Sequence, residues 1–409
     1  MKTLRAVVKL PFCLPGGELL KVPGYNVKTE TYAEFDGELF EDLEGCPSRA
    51  ELVAALRQIW RPWAAYKFAT DHDRAAMLAA VIGGVCRPGL DLAPGIVFDA
   101  PTAGSGKSLA ARALGSLILG RRCPVTVGVN LADDDETRKL LVADAIAGVD
   151  VVLMDNLHGH LASPALEGLI TAGVLRGRVL GSSQNFEGEA RGTVLLTSNN
   201  ASLNRDLARR FLRVRIDHGV ERPQGLEFAF DPVERALTER LAIARGVLVV
   251  VQGFFAAGSP IVGRGDAGFC QWNRLVRQCV LWVGREGIDE EAGVGDMGDP
   301  AHSIMEEAGR NDPDSEALAM LLDGLHEKFE DGIFLAREVS AWLGSGFVDE
   351  ASLMVREALE LLMPGRSANV SSASVANVLK FRVDRPSGGL VLRRGQGARN
   401  TAVYSVQKS

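Results

Sequence analysis

Apolar positions recur along this chain with two periods. From Ile96 to Asp99 they run almost unbroken, as in a short buried strand; Pro101 to Gly106 is a turn of small residues; and in Lys107 to Ile118 the residues Leu109, Ala113, Leu114 and Leu117 share one helical face. Strand and helix then alternate: Val125 to Gly128 with a helix from Asp133 to Ala147, and the β-branched strand Val149 to Asn156 with a helix from Ser163 to Leu175. Arg176 to Gln184 has the pattern of a hairpin. Thr193 to Asn200 reads as a second buried strand, and an alternating strand follows Arg209-Arg210. This order predicts an α/β fold with a parallel sheet.

Around that centre the periodicity changes. Residues 1–45 are short β-like pieces (Leu4 to Leu10, Glu18 to Val22) broken by Pro and Gly, read as a small accessory sheet or clamp. Pro47 to Val85 is helical, with Trp60, Trp63, Tyr66 and Phe68 around a break at Pro62, read as a packed helix corner. Ala236 to Ala257 and Phe269 to Val283 are long helical stretches. The second has Trp272, Val276, Val280 and Val283 on its core face, with Arg274 and Arg277 free to approach phosphates. Gly284 to Asp299 is rich in glycine and acid and reads as a linker. From Pro313 come a helix through Leu318, Leu321, Leu322 and Leu325, a second from Phe334, a third from Ala373 to Phe381, and a closing hairpin around Gly395 to Asn400. Three helices and a two-stranded wing predict a winged helix.

At 409 residues the chain is long enough for two or three domains. No apolar run of about 18 residues and no leader-like segment occurs, so neither a membrane span nor export is expected, and the location expected is cytoplasmic. The six cysteines stand singly, without zinc-ligand spacing, and read as reduced, mostly buried thiols. The net charge is −7, but from Lys380 onward seven basic residues face Asp384 alone; the tail carries +6 and the remainder −13. A basic module on an acidic body points to nucleic acid at that end.

The candidate chemistry centres on Pro101-Thr-Ala-Gly-Ser-Gly-Lys-Ser108, which follows the GxxxxGK[ST] phosphate-loop pattern with proline in place of the first glycine. Thr102, Ala103, Gly104, Ser105, Gly106, Lys107, Ser108 and Leu109 are the candidate nucleotide-binding residues. Gly104 and Gly106 let backbone N–H groups converge, Lys107 reaches the β/γ-phosphates, and the Ser108 hydroxyl can ligate Mg²⁺. Asp155, at the C-terminal end of its strand, is placed to hold the same metal ion. Many ATPases carry a second carboxylate next; here Asn156 stands, so either Asn156 positions the water or another acid such as Glu136 supplies the base. The acidic run Asp133 to Glu136 is first of all a helix N-terminal charge pattern. His158 and His160 are read as incidental. Asn199 or Asn200 ends a buried strand where an amide meets a γ-phosphate or its water.

The phosphate loop, Leu153-Met-Asp-Asn156, Thr197-Ser-Asn-Asn200 and Arg209-Arg210 together resemble the AAA+-related superfamily 3 helicases. More narrowly the chain is similar to the helicase-like halves of phage and integrated-element primase-helicase proteins, through Pro23-Gly-Tyr-Asn, Asp73-Arg-Ala-Ala, the phosphate loop, Asp206-Leu-Ala-Arg-Arg and Phe269-Cys-Gln-Trp-Asn-Arg-Leu-Val-Arg. The resemblance implies a homo-hexameric ring with ATP and Mg²⁺ between subunits. It implies Lys107 and Asp155 as catalytic groups, with Asn199 the polar sensor; the candidate catalytic Asn156 departs from it, standing where viral relatives commonly carry a second acid. Arg210, or in its place Arg209, is the arginine finger offered to a neighbour. It also implies a channel hairpin near Arg176 and Arg178 that grips single-stranded DNA. The tail, through Lys380, Arg382, Arg393 and Arg394, is expected to take duplex DNA. The organisation expected is an accessory region 1–45, a helical collar 46–92, a P-loop AAA+-like ATPase core 93–220, a helical lid 221–284, a linker 285–312 and a winged helix 313–409. The function expected is ATP-driven DNA translocation or unwinding in replication of a phage or mobile element in a bacterial cell, with any primase on another polypeptide or segment. The competing reading is an ATP-switched oligomeric DNA-binding or assembly factor, such as a loader, regulator or defence ATPase, without unwinding.

Overall fold

The computed structural model describes residues 4–179, 184–220, 229–265, 267–309, 313–346, 348–363, 371–397 and 401–408. The chain divides into two compact units, Met1–Ala308 and Gly309–Ser409.

The first unit is built on a five-stranded, all-parallel sheet. Its order is Phe211–Arg215, Gly95–Ala100, Thr193–Asn199, Val151–Leu157, Thr126–Val127. Gly95–Ala100 is buried throughout, and Val151–Met154 and Thr193–Ser198 are too, because helices cover both faces of a parallel sheet. The asparagine-bearing strand therefore lies between the strand leading into the glycine loop and the strand that carries Asp155. All three direct their C-terminal ends to one edge.

Helix Lys107–Leu119 follows the glycine loop and buries Ala110, Ala113, Leu114 and Leu117 against the sheet. Helices Asp134–Ile146 and Pro164–Ala172 are opened by Asp133 and Ser163, whose side chains accept from Glu136 N and Leu166 N. The hairpin forms as strands Val174–Arg178 and Asn185–Glu189, paired antiparallel; its tip lies outside the described residues.

Helices Arg49–Trp60, Asp71–Cys86, Pro232–Thr238 and Arg240–Ala256 share one apolar core with the sheet. Trp63 is fully buried and Trp60 stacks obliquely on Phe68, so the aromatic cluster is a packed corner. The N-terminal residues make a small sheet, Ala6–Val8, Thr31–Ala33 and Gly24–Asn26, and a short hairpin of Phe12–Cys13 with Leu19–Leu20. Of the cysteines, only Cys46 and Cys270 are exposed. Among the described residues no helix is long and apolar enough to cross a membrane.

The expected linker 285–312 is corrected. Ile288–Ala292 is a helix whose flanking Gly287 and Gly293, at φ 68° and 70°, are left-handed caps, and Ile288, Ala301 and Ile304 are buried in the first unit's core. Its glycines terminate a helix and its acids occupy a helix first turn, a composition that linkers share.

The second unit contains helices Pro313–Phe329, Ala336–Gly344, Glu350–Leu362 and Ser372–Lys380, with a sheet of Pro386–Ser387, Leu390–Gln396 and Ala402–Lys408. Phe334 bridges to Tyr404. The Glu350–Leu362 helix is one more than the three expected. It opens with a reciprocal cap between Asp349 and Ser352 and buries Ala351, Val355, Ala358 and Leu359.

Candidate active site

The site lies at the C-terminal edge of the parallel sheet, where the glycine loop leaves its strand. Gly104 and Gly106 adopt φ 82° and 84°, a region in which an L side chain is strained, and Gly106 caps the helix that begins at Lys107. A Cβ on Gly106 would also come to 3.0 Å of the Tyr66 ring. Two side chains far away in sequence hold this turn from outside. The Tyr66 hydroxyl donates to Gly106 O at 3.2 Å, and His218 Nε2 lies 3.2 Å from Ser105 O.

Lys107 is buried, and no carboxylate of the described residues lies within ion-pair distance of it. Burial lowers its pKa, while the more distant Asp155 and Asp99 draw it up. A cation in this state is poised to gain from an incoming anion.

Ser108 Oγ donates to Asp155 Oδ1 at 2.6 Å. Thr197, from the intervening strand, also donates its hydroxyl to Asp155 Oδ1 and accepts from Asn156 N at 2.8 Å. The pairing of the two strands shifts here: Met154 faces Leu196 but Leu157 faces Ser198, so Asp155 and Asn156 together oppose Thr197. Asn156 takes φ 59° in this bulge, and its side chain is exposed. Asparagine tolerates that conformation far better than β-branched residues do, which gives Asn156 a backbone reason for its place.

The two strand-ending asparagines separate by role. Asn200, at φ 50°, donates from Nδ2 to Pro101 O at 3.2 Å and accepts from Arg215 at 3.0 Å, so it clips the start of the loop. Arg215 is also ion-paired to Asp99, which is buried and accepts from Ala201 N at 2.8 Å. Asn199 Oδ1, in contrast, is buried without a partner. An unsatisfied amide oxygen beside a phosphate loop is an acceptor waiting for a donor.

A hydroxyl and a carboxylate in contact, next to an unpaired cation and a converging loop backbone, fit a magnesium-bound polyphosphate. Ser108 and Asp155 would hold the ion, which supplies charge neutralisation between phosphates. An open cleft of about 570 Å³ adjoins the loop, lined by Trp60, Tyr66, Phe68, Asp217 and His218 among others.

The other candidates lie elsewhere. Glu136 is exposed and paired with Lys139. Among the histidines, His160 Nδ1 lies 3.0 Å from Ser202 Oγ. Arg209 and Arg210 precede the edge strand, and Arg210 O accepts from Gly95 N. Five residue steps of about 3.3 Å then separate them from the glycine loop, about 17 Å along the sheet. Arg210 is anchored in its own chain, by Nε to Thr171 Oγ1 at 2.7 Å and by Nη1 to Asp206. Arg209 is exposed; its backbone N–H caps the short helix by donating to Arg205 O at 3.1 Å, and its side chain makes no hydrogen bond or ion pair with a described residue.

Arg277 is corrected as a phosphate contact: it is completely buried, paired with Asp299 at 2.6 Å and bonded to the carbonyls of Arg264 and Gly265. Arg176 and Arg178 alternate with the buried Leu175 and are exposed, Arg176 3.7 Å from Glu187. In the second unit Lys380, Arg393 and Arg394 are exposed. Arg393 pairs with Asp384, Arg382 is half-buried with Nη1 3.4 Å from Val378 O, and Lys380 lies over the Phe381 ring.

Sequence reasoning missed Thr197, Tyr66 and His218. The hydroxyl inside Thr197-Ser-Asn-Asn200 was the one available signal, a polar side chain in an otherwise apolar strand.

No protein-family model matches the chain, and no curated relative does. In solved structures the chain is similar to the apo C-terminal region of NrS-1, with a TM-score of 0.39 at 10% identity over 93% of this chain and 80% of that one. A second structure of that region (305–718) gives 0.37 at 12% identity over 92% and 80%. A JCV helicase with a thiazolopyridine acetamide bound gives 0.24 at 15% identity over 61% and 74%. Likenesses at this level carry no argument, and the reading below rests on the site's own geometry.

Proposed function

We propose that this chain is an ATP hydrolase that drives DNA unwinding or translocation, working as a homo-hexameric ring in replication of a phage or mobile genetic element in the bacterial cytoplasm. The observation that carries the reading is the contact of Ser108 with Asp155 beneath a glycine loop, with Lys107 unneutralised beside it. In this reading the nucleoside occupies the cleft by Tyr66 and His218, Lys107 and the loop N–H groups take the β- and γ-phosphates, and Asn199 accepts from the attacking water at Oδ1 or donates from Nδ2 to the γ-phosphate.

A ring follows from the arginine pair. At about 17 Å from their own glycine loop along the sheet, Arg209 and Arg210 are out of reach of their own nucleotide. Arg209 is the free one, so it is the finger in this reading, with Arg210 holding the segment in place. Exposed Arg176 and Arg178 would grip single-stranded DNA in the channel. The second unit, read as a winged helix, would lay the Ser372–Lys380 helix and its basic strand on duplex DNA. Any primase acts as a separate partner.

One observation favours the second reading, an ATP-switched assembly factor. The position after Asp155 holds an exposed asparagine in a left-handed bulge, not a second acid. ATP turnover with and without single-stranded DNA, alongside strand displacement on a forked duplex, decides between them. DNA-stimulated turnover with displacement supports the helicase; turnover without displacement supports the switch; no turnover removes both.

A further inference from the structure

We propose that the first unit holds a second ligand site, for a small amphiphile with an anionic oxygen-rich head and an apolar body, at the sheet edge opposite the phosphate loop.

A cavity of about 750 Å³ lies there, within the size range of small-molecule pockets. It is bounded by the N-terminal strand around Arg5–Lys9, by the Asp134–Ile146 helix, and by the starts of two sheet strands at Asp150 and Thr193. Those strands carry Asp155 and Asn199 towards their far ends, so the cavity and the glycine loop sit at opposite ends of the sheet.

Two buried polar groups at its inner end lack natural partners. Arg87 is nine-tenths buried and lines the cavity, yet among the described residues its side chain's one hydrogen bond goes to Leu90 O at 2.7 Å, and Asp91, the carboxylate that draws its pKa up, lies beyond ion-pair distance. Thr193, 5% exposed, lines the same wall, and its hydroxyl oxygen is buried with no partner. A buried guanidinium ordinarily carries a carboxylate, and a buried hydroxyl a hydrogen bond. Burial and neighbouring Arg191 push the Arg87 pKa down to about 10, so it stays a cation at neutral pH. An anionic head between Arg87 and Thr193 completes both.

The rest of the wall selects the body. Leu141, Val152, Leu169 and Val194 present apolar surface, and beside Arg87 and Thr193 the cavity meets a small enclosed extension towards Ile170 and Leu212. The other charges of the wall are mostly spoken for: Lys9 pairs with Glu34, Lys28 with Glu18, Arg5 and Arg191 with Glu189, and Asp91 accepts from Gln271 Nε2 at 2.6 Å. Asp144 and Asp150 also line the cavity. Burial raises the pKa of both, which weakens their repulsion of an anion; the head is assigned to the Arg87 end because the buried cation and the unpartnered Thr193 hydroxyl are there.

The test uses the full chain and 1-anilinonaphthalene-8-sulfonate as probe, displaced in separate arms by decyl phosphate, decanoate and inorganic phosphate. The expected result is one saturable site, displaced by a decyl amphiphile and not by inorganic phosphate at equal concentration; the better decyl competitor identifies the head as phosphate or carboxylate. Arg87→Met should weaken probe binding at least 10-fold, and Ala145→Phe, which fills the cavity from the helix side, should abolish it with the melting temperature and fluorescent-ATP affinity retained. Should Arg87→Met fail to fold, Ala145→Phe carries the test alone. Unaltered probe binding in a folded Ala145→Phe protein, or displacement by inorganic phosphate as effective as by the decyl compounds, would overturn the proposal.

Discussion

Ser108 and Asp155 lie 47 positions apart in sequence, yet the hydroxyl of the first donates to the carboxylate of the second at 2.6 Å. Parallel topology brings this about. Asp155 lies near the C-terminal end of its strand and Ser108 in the first turn of the helix that follows the glycine loop, both at one edge of the sheet, and the strand between adds Thr197 to the same carboxylate.

Thr197 serves Asp155 and the Asn156 bulge at once. Thr197→Val keeps the shape and removes both hydrogen bonds, leaving the part-buried Asn156 N–H and one Asp155 oxygen without that partner, so it should cost about 1 kcal/mol of unfolding free energy. It should also slow ATP turnover while nucleotide still binds. Denaturant unfolding and single-turnover assays check the two effects; wild-type turnover would show that Asp155 needs no such support.

The two asparagines should separate cleanly. Asn199→Ala removes an amide with no partner for its oxygen, so stability should hold while hydrolysis falls. Asn200→Ala releases Pro101 and Arg215, so nucleotide affinity and stability should both drop. Thermal melts and fluorescent-ATP titrations of the pair test this, and identical behaviour of the two variants would contradict it.

Arg209→Ala should bind nucleotide almost as the parent does and lose hydrolysis by about 10³-fold, as removal of a trans arginine does elsewhere. Mixing it with Lys107→Ala should restore some turnover, because each subunit then supplies what its neighbour lacks. Rescue seen with Arg210→Ala and absent with Arg209→Ala would reassign the finger to Arg210, and absence of rescue with either, subunit exchange being shown, would count against a ring.

Much of this was legible in the chain. The strand, glycine turn and helix around Gly104 and Gly106, the carboxylate closing its strand, and the hairpin at Arg176 all follow from local pattern. What escaped depends on register across strands or on partners far along the chain. Nothing local to Asn156 reveals that it opposes Thr197 in a bulge, and nothing around Arg277 announces Asp299. The glycines of 285–312 were misleading because helix caps and linkers use the same residue. Neither asparagine of the Asn199-Asn200 pair is distinguishable until Pro101 and Arg215 are found against the second.

Arg277→Met leaves Asp299 half of a broken buried pair and should destabilise the first unit by about 3–5 kcal/mol. A chemical-denaturation midpoint unchanged from the parent would contradict the burial of that pair.

Lys380→Ala and Arg394→Ala in the second unit should each lower the slope of log binding constant against log salt by about one for duplex DNA, without altering basal ATP turnover. Unchanged slopes would turn the second unit into a protein-contact module.

The most direct measurement is Mg²⁺-dependent ATP turnover of the parent chain beside Lys107→Ala and Asp155→Asn. The parent should hydrolyse ATP and both variants should lose hydrolysis, Lys107→Ala because no other cation in the loop can neutralise charge developing on the γ-phosphate. Near-parental turnover in Lys107→Ala, or a parent chain that neither binds nor hydrolyses ATP, would contradict the account at its centre.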